Sequence, residues 1–331
     1  MKKAIAASLV DRTGLRRLLH GMGRWRGLVV LNYHRIGHAV GTPYDHGLWS
    51  ASEETFSEQM RFMRRHMDLV DPADLAQLRD RARGRYAMVT FDDGYRDNYE
   101  AALPILRHEG VRATFFVATG FIDQPSLPWW DEIAWMVRTS RQPRLDLRPW
   151  LDSPVEMDEP DRECTVRTLL RVYKTLPGER LGAYLDAVGA ATGSGRADPS
   201  RLDHTWMTWN MLREMRDAGM TIGGHTVSHP VLANMNTAQQ RDEILQCGKR
   251  LAEELGQPMD CFSYPVGYPA SFDKRTREVL AEAGVRWAFS YYGGCRHFDD
   301  WDPYDIRRVA VEAEVTAPWF RSIMTLPAVF A

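Results

Sequence analysis

Short apolar runs that end in polar residues recur along this chain, each followed by a segment with helical spacing. This alternation restricts the fold more than any other feature. LVVLNYH (residues 28–34) is the first run, and YAMVTFDDG (86–94) and VRATFFVATG (111–120) repeat it. Between the last two, RDNYEAALPILRHEG predicts a helix that ends at Gly110 despite Pro104. WNMLREMRDAGMTIGGH reads as helix, stop at Gly219, strand and turn, and Thr237 opens a capping box with Gln240 ahead of a helix through AQQRDEILQCGKRLAEEL. MDCFSYPVG gives a strand and loop, KRTREVLAEAG a helix, and VRWAFSY and IRRVAV two further strands. Strands that are apolar throughout and alternate with helices belong to parallel sheets covered on both faces, so an α/β fold is predicted, sheet or barrel. The polar residues gather where strands end, the face on which barrels carry their chemistry.

One region breaks the rhythm. From about residue 123 to 203 no strand is predicted; the stretch holds the Trp-rich LPWWDEIAWMV, an acidic patch around 152–163 and the helical CTVRTLLRVYKTLPGERLGAYLDAVGAA, closed by TGSGRADPS. It is read as a mostly helical insertion in one domain of residues 28–311, flanked by an N-terminal segment (1–27) and a C-terminal tail (312–331). A chain of 331 residues is long enough for a barrel. Its net charge of −2 supplies no basic field, so nucleic acid is not an expected partner. The four cysteines are far apart and form no C-x-x-C pair, which predicts reduced, mostly buried thiols. The first residues begin like a signal peptide, but Asp11, Arg12, Arg16 and Arg17 interrupt the apolar run. A cytoplasmic location is expected. Through Arg26 the segment is basic, with Leu15, Leu18, Leu19 and Met22 at helical spacing; such a helix either packs on its own domain or rests on an anionic membrane surface.

The stretch GGHTVSHP (223–230) carries two histidines four residues apart. That spacing lets both imidazoles point at one ion. Pro230 biases His229 away from the α region and Gly223-Gly224 weakens any helix begun earlier, so a tight turn after a strand is predicted. Two histidines in a surface loop are the plain alternative. A catalytic zinc site needs a third ligand, ideally a carboxylate, and an open position for water. Asp92 and Asp93 in TFDDG stand at a predicted strand end, with Gly94 supplying a sharp turn. Adjacent side chains there point in different directions, so one carboxylate can bind a metal while its neighbour takes a proton from water. Alone, Asp-Asp-Gly also suits a helix cap or turn. Joined to His225 and His229, it completes an open metal site.

TFDDG, HTVSH and FSYPVG together resemble the ordered motifs of the polysaccharide deacetylase family, the NodB-type esterases of carbohydrate esterase family 4, over about residues 28–311. The resemblance implies a distorted (β/α)7-type barrel that removes N- or O-acetyl groups from sugars with a divalent metal. It makes Asp92 the general base and Asp93, His225 and His229 the metal ligands. LNYHRIG looks like the early Tyr-His motif of members whose motifs are circularly rearranged, which makes His34 the general acid; His297, in a predicted surface loop, is the competing candidate. The chain departs from the family where Ser263-Tyr264-Pro265-Val266-Gly267 replaces the common Arg-Pro-Pro-Tyr-Gly. The Arg that steadies the base is missing there, and Arg308, next to Arg307 in IRRVAV, is the candidate replacement. The Val266 backbone N–H, at the family's Tyr position, serves the oxyanion, a role that needs only an amide.

Among the tryptophans, Trp129 and Trp130 are the expected sugar-stacking residues, because no single period buries both, and Tyr264 joins them as a substrate contact. Trp135, Trp206 and Trp209 are expected in the core. The sequence thus predicts a metal-dependent N-deacetylase acting on an N-acetylated carbohydrate, with Zn2+ the expected ion and Co2+ or Ni2+ suiting the same ligands. Hydrolysis of another linear or cyclic amide, or carbohydrate binding without catalysis, are the alternatives; the presence of both Asp92 and His34 favours an enzyme.

Overall fold

The computed structural model describes residues 5–8, 25–78, 83–157, 162–198 and 204–331. Seven parallel strands make its centre: β1 Gly27–Tyr33, β2 Tyr86–Phe91, β3 Thr114–Val117, β4 Thr221–Gly224, β5 Cys261–Ser263, β6 Trp287–Gly293 and β7 Ile306–Ala310. They neighbour one another in chain order, and β1 pairs with both β2 and β7, so the sheet closes into a (β/α)7 barrel. A two-residue strand, Arg296–His297, runs antiparallel to the start of β1.

Every residue of β1 and β2 is buried, as strands covered on both faces must be. The two-residue period puts Leu28, Val30 and Asn32 of β1 on one face, and Met88 and Thr90 of β2 on another, with Asp92 next in the same series. Leu28, Val30, Met88, Phe116, Phe289 and Ile306 form one apolar cluster. Further along the strands the same faces turn polar, and the Thr90 hydroxyl donates to Asn32 Oδ1 at 2.9 Å. Asp92 is where this inward face runs out. The alternate residues Val29, Leu31, Val89 and Phe91 meet Phe56, Met60 and Met63 of helix α1, Glu53–His66. Each such buried side chain contributes roughly 1.5–3 kcal/mol.

Helix α2, Leu103–Glu109, carries Pro104 near its start, directly after a π-helical turn, Asn98–Ala102, whose wider hydrogen-bond spacing accommodates it; Gly110 ends the helix at φ 67°. Between β3 and α6 (Trp209–Asp217) lie α3 Trp129–Thr139, α4 Glu163–Tyr173 and α5 Leu181–Thr192, packed around an apolar cluster with Trp129, Ile133, Leu169 and Tyr184. The region predicted to be strand-free holds a small antiparallel ribbon, Arg144–Leu145 against Val155–Glu156. Helix α7, Thr237–Leu255, is capped one residue earlier than predicted: Asn236 and Gln239 make the capping box, because the Asn236 carbonyl side chain reaches the Gln239 amide. Helices α8, Lys274–Glu282, and α9, Ala317–Ile323, follow β5 and β7. The four cysteines are free thiols. The amphipathic helix expected through Arg26 lies outside the described residues. Among the described residues no helix is long and apolar enough to cross a membrane.

Candidate active site

β4 ends in Gly223-Gly224; a Cβ at Gly223 would lie 2.8 Å from the Cys261 backbone oxygen, so glycine there lets β4 run this close to β5. The backbone then turns sharply, with Thr226 at φ 69° and His229 at φ 57°. This is the turn that Pro230 demanded. The Thr226 hydroxyl accepts the His229 N–H at 2.9 Å, and Glu243 of α7 accepts the amides of Val227 and Ser228 at 2.8 and 2.9 Å. Glu243 escaped the sequence analysis, since a carboxylate on a long polar helix carries no local signal of the turn it holds.

Asp93, at φ 76°, turns away from the inward face that Asp92 continues. Its carboxylate meets both imidazoles: Oδ1 lies 3.5 Å from the Nε2 atoms of His225 and His229. One ligand atom from each of the three residues falls within 4.8 Å of the other two, and all three residues are buried. His225 Nδ1 lies 2.7 Å from the Ser263 carbonyl, a contact in which the ring nitrogen must donate, so in the neutral ring Nε2 presents a lone pair to Asp93. A ring lone pair facing a carboxylate is repelled unless a positive charge lies between them. Asp93 Oδ1 also has no hydrogen-bond donor, an orphan oxygen in a buried site. The donor set and its geometry therefore fit a divalent cation of the zinc, cobalt or nickel type. His229 Nδ1 has no partner among the described residues, and its ring packs against Trp130 at 4.4 Å.

The titration of the cluster follows from its surroundings. Burial opposes a charge on His225, but Asp92, Asp93 and the Ser263 carbonyl together raise its pKa. His229, pushed down by burial and then by His225, falls to about 3 and stays neutral. Burial works against ionised Asp93 as well, and the two histidines outweigh it, leaving its carboxyl below the ordinary value.

Next to this cluster, Arg308 grips Asp92 with both nitrogens, Nη1 on Oδ1 and Nη2 on Oδ2, each at 2.8 Å. The guanidinium is fully buried and also donates to the Ser263 hydroxyl and the Ser290 carbonyl, both at 2.8 Å. Arg307 points the other way, over the Tyr292 ring. The period of β7 decides between them, because Ile306 and Arg308 face the barrel interior. Desolvation would raise the Asp92 pKa; Arg308 and then His225 overcome it and hold the carboxyl far below its ordinary value. A chamber of about 410 Å³ opens over Asp92, Asp93, His225 and His229.

The polysaccharide deacetylase family model matches residues 79–142 and 171–288, more than half of the chain. The chain belongs to the polysaccharide deacetylase family. YxkH of Bacillus subtilis (strain 168), whose name places it among the polysaccharide deacetylases, is 20% identical over 233 residues, 70% of this chain and 54% of YxkH. The chain thus spans about half the length of that curated relative. Among solved structures, the Streptococcus pyogenes deacetylase PplD in complex with acetate aligns with a TM-score of 0.59 at 16% identity, covering 92% of this chain and 98% of that one. IcaB from Ammonifex degensii aligns at 0.55 and 19% identity, covering 93% and 99%. These likenesses are of fold.

The remaining candidates in this family member divide. His34 and Val266 line the chamber with the cluster. His34 sits edge-on to Tyr291, with ring centroids 5.6 Å apart. Val266 holds φ 64°, a costly conformation for a β-branched residue. His297 does not join them. It pairs with Gly27, seven residues from His34 at the opposite end of β1, about 23 Å away at ~3.3 Å per residue. Trp129 and Trp130 also line the chamber, but both are buried, contrary to the expectation that no period would cover the pair. Trp129 stacks on Tyr173 at 4.3 Å and donates its indole N–H to the His229 carbonyl, while Trp130 donates to the Tyr95 hydroxyl. The insertion covers one ring and the histidine turn the other. Tyr264 borders the chamber with its ring stacked on Phe272 at 3.8 Å and its hydroxyl spent on the Tyr304 carbonyl, so it offers no free face to a sugar. Trp206 is in the core, stacked between Tyr95 and Phe121, whereas Trp209 is half-buried beside Arg250.

Proposed function

We propose that this protein is a metal-dependent N-deacetylase that hydrolyses the acetamido group of an amino sugar to acetate and a free amine. The observation that carries the reading is the convergence, in one chamber, of the Asp93–His225–His229 cluster with the Arg308-clamped Asp92 and with His34. Asp93, His225 and His229 would hold a divalent cation, which would supply Lewis-acid charge at the acetyl carbonyl and the attacking water.

Asp92 takes the proton of the attacking water. Arg308 fixes both of its oxygens and keeps it ionised, ready to accept that proton. Val266 turns its backbone N–H toward the oxygen of the tetrahedral adduct, and its unfavourable φ is the strain that this orientation stores. His34 protonates the departing nitrogen. Trp129, Trp130 and Leu170 form part of the chamber wall. The acetate in the PplD structure is the product expected of such chemistry in that relative. An enzyme that opens another amide would need the same groups, and substrate alone separates the two readings.

The test is acetate release from a panel of N-acetylated glycans by the metal-loaded protein, with Asp92→Asn beside it. The expected outcome is turnover in the wild type and a loss of roughly 10²–10⁴-fold in the variant. Full activity in Asp92→Asn would remove the base assignment, and release of no acetate from any glycan would remove the deacetylase reading.

A further inference from the structure

The helical insertion gives one wall of the catalytic chamber a charge that the reaction above does not use. Arg167, Leu170 and Lys174 of α4 line the chamber together with Trp129. They recur at three- and four-residue spacing, so a single face of the helix is turned to this space. Arg167 and Leu170 fall between the two segments that the family model matches, and the wall they begin is therefore the chain's own.

Lys174 closes α4 at its C-terminal end, and its backbone is fixed there. Asn234, in the short helix after the histidine turn, donates to the carbonyls of Lys174 and Leu176 at 2.9 and 3.1 Å. The Lys174 ammonium lies 5.8 Å from the centre of the Trp129 ring, and that centre lies 6.3 Å from the His229 ring. One indole thus separates this charge from the metal cluster, a span that a single pyranose with its substituents covers.

An enclosed ammonium calls for a counter-charge, and the neighbouring acids are engaged elsewhere. Glu163 pairs with Arg138 at 2.7 Å and with Arg167 at 3.5 Å. Asp45 accepts the Gly47 amide at 2.9 Å and attracts Lys174 only from beyond ion-pair distance. Burial pulls the Lys174 pKa down, and Asp45 offsets only part of that. Across the barrel the sign reverses: Glu312 and Glu314 line the chamber just past β7, three strands round from β3, where the insertion begins. A molecule with one negative group is oriented by this polarity, that group toward α4.

We propose that the amino sugar acted on carries an oxyanion, a phosphate or a carboxylate, which Lys174 binds at the α4 wall with Arg167 beside it. This rests on the deacetylase reading above and narrows it to an acidic sugar. A lysine ammonium is a compact point charge that serves either group, and the hydrogen bond it gives to an oxyanion is stronger than one between neutral partners.

The test uses the full, metal-loaded chain and single sugars: N-acetylglucosamine, its 1-phosphate, its 6-phosphate and the corresponding 6-carboxylate. For each, kcat/KM for acetate release is measured, and the value for each acidic sugar is divided by that for the neutral one. In the wild type at least one ratio should be about tenfold or more, the scale of a hydrogen bond to a charged group. Lys174→Gln should bring that ratio down to about one, and Lys174→Arg should keep most of it. Because the ratio is taken within one protein, a variant that folds in low yield still reports it, and whether the phosphates or the carboxylate respond names the group. A wild type that treats all the sugars alike or prefers the neutral one overturns the proposal, as does a Lys174→Gln ratio equal to that of the wild type. Calorimetric binding keeps the two readings apart. Tighter binding of an acidic sugar, lost in Lys174→Gln, with no acetate released from any sugar would remove the deacetylase reading and leave the anion site standing; acetate release at equal rates from neutral and acidic sugars would do the reverse.

Discussion

Arg308 and Asp92 face each other inside the barrel with two parallel hydrogen bonds of 2.8 Å, and neither side chain has more than a trace of contact with solvent. Such a pair stabilises only as a pair. Arg308→Met should leave a buried carboxylate without a counter-charge and cost about 3–5 kcal/mol of stability. Arg308→Lys keeps the charge but not the fork, so it should stay folded while losing turnover. Urea unfolding and steady-state acetate release read the two effects apart. A wild-type unfolding curve for Arg308→Met would show that Asp92 does not depend on it.

The three-residue cluster predicts a metal stoichiometry. The purified protein should carry about one zinc-like ion per chain by mass spectrometry, and the His225→Ala, His229→Ala double variant none. Added zinc should stabilise the wild type by about 2.7 kcal/mol when free ion reaches a hundredfold excess over the dissociation constant, and leave the double variant unchanged. Equal zinc-induced shifts in melting temperature for both proteins would place the ion elsewhere.

Much of this arrangement was legible in the sequence because it rests on local rules. The two-residue period of IRRVAV sends one of two adjacent arginines inward, and Pro230 excludes a helix at the histidine turn. What was not legible depends on distant partners. Glu243 is sixteen residues from the amide it holds at Val227 and looks like any solvated helix carboxylate. Trp129 and Trp130 point about 100° apart on α3, a spread that one covering surface cannot bury; Tyr173 and His229 cover them from two sides. Helix α1 was missed altogether, its four buried side chains, Phe56, Gln59, Met60 and Met63, being thinly spread among charged residues.

Val266 offers a separation of backbone from side chain. If the residue acts through its amide alone, Val266→Gly should keep kcat within a few-fold, and relief of the positive φ should offset the lost burial to within about 1 kcal/mol of stability. Oxyanion donors removed outright cost roughly 10²–10³ in kcat. A loss of that size in Val266→Gly, measured by acetate release at saturating substrate, would mean that the side chain takes part.

Asp131 gives a prediction in pH. It accepts the Asp45 N–H at 2.9 Å and the Tyr95 hydroxyl at 2.8 Å, tying α3 to the residues 45–48 that border the chamber. Burial raises its carboxyl from 3.8 to about 7, more than Arg35 and these hydrogen bonds lower it. The folded protein therefore holds a proton there that the unfolded chain has released. Stability should fall as pH rises from about 4 to about 7, by up to ~1.4 kcal/mol per unit, and then level. Asp131→Asn removes this slope. Its amide cannot accept the Tyr95 hydroxyl as well as the carboxyl does, so the variant should be the less stable protein near pH 5 and gain on the wild type toward pH 8. Urea unfolding of both proteins across that range checks it, and parallel curves would show that Asp131 is already ionised at pH 5.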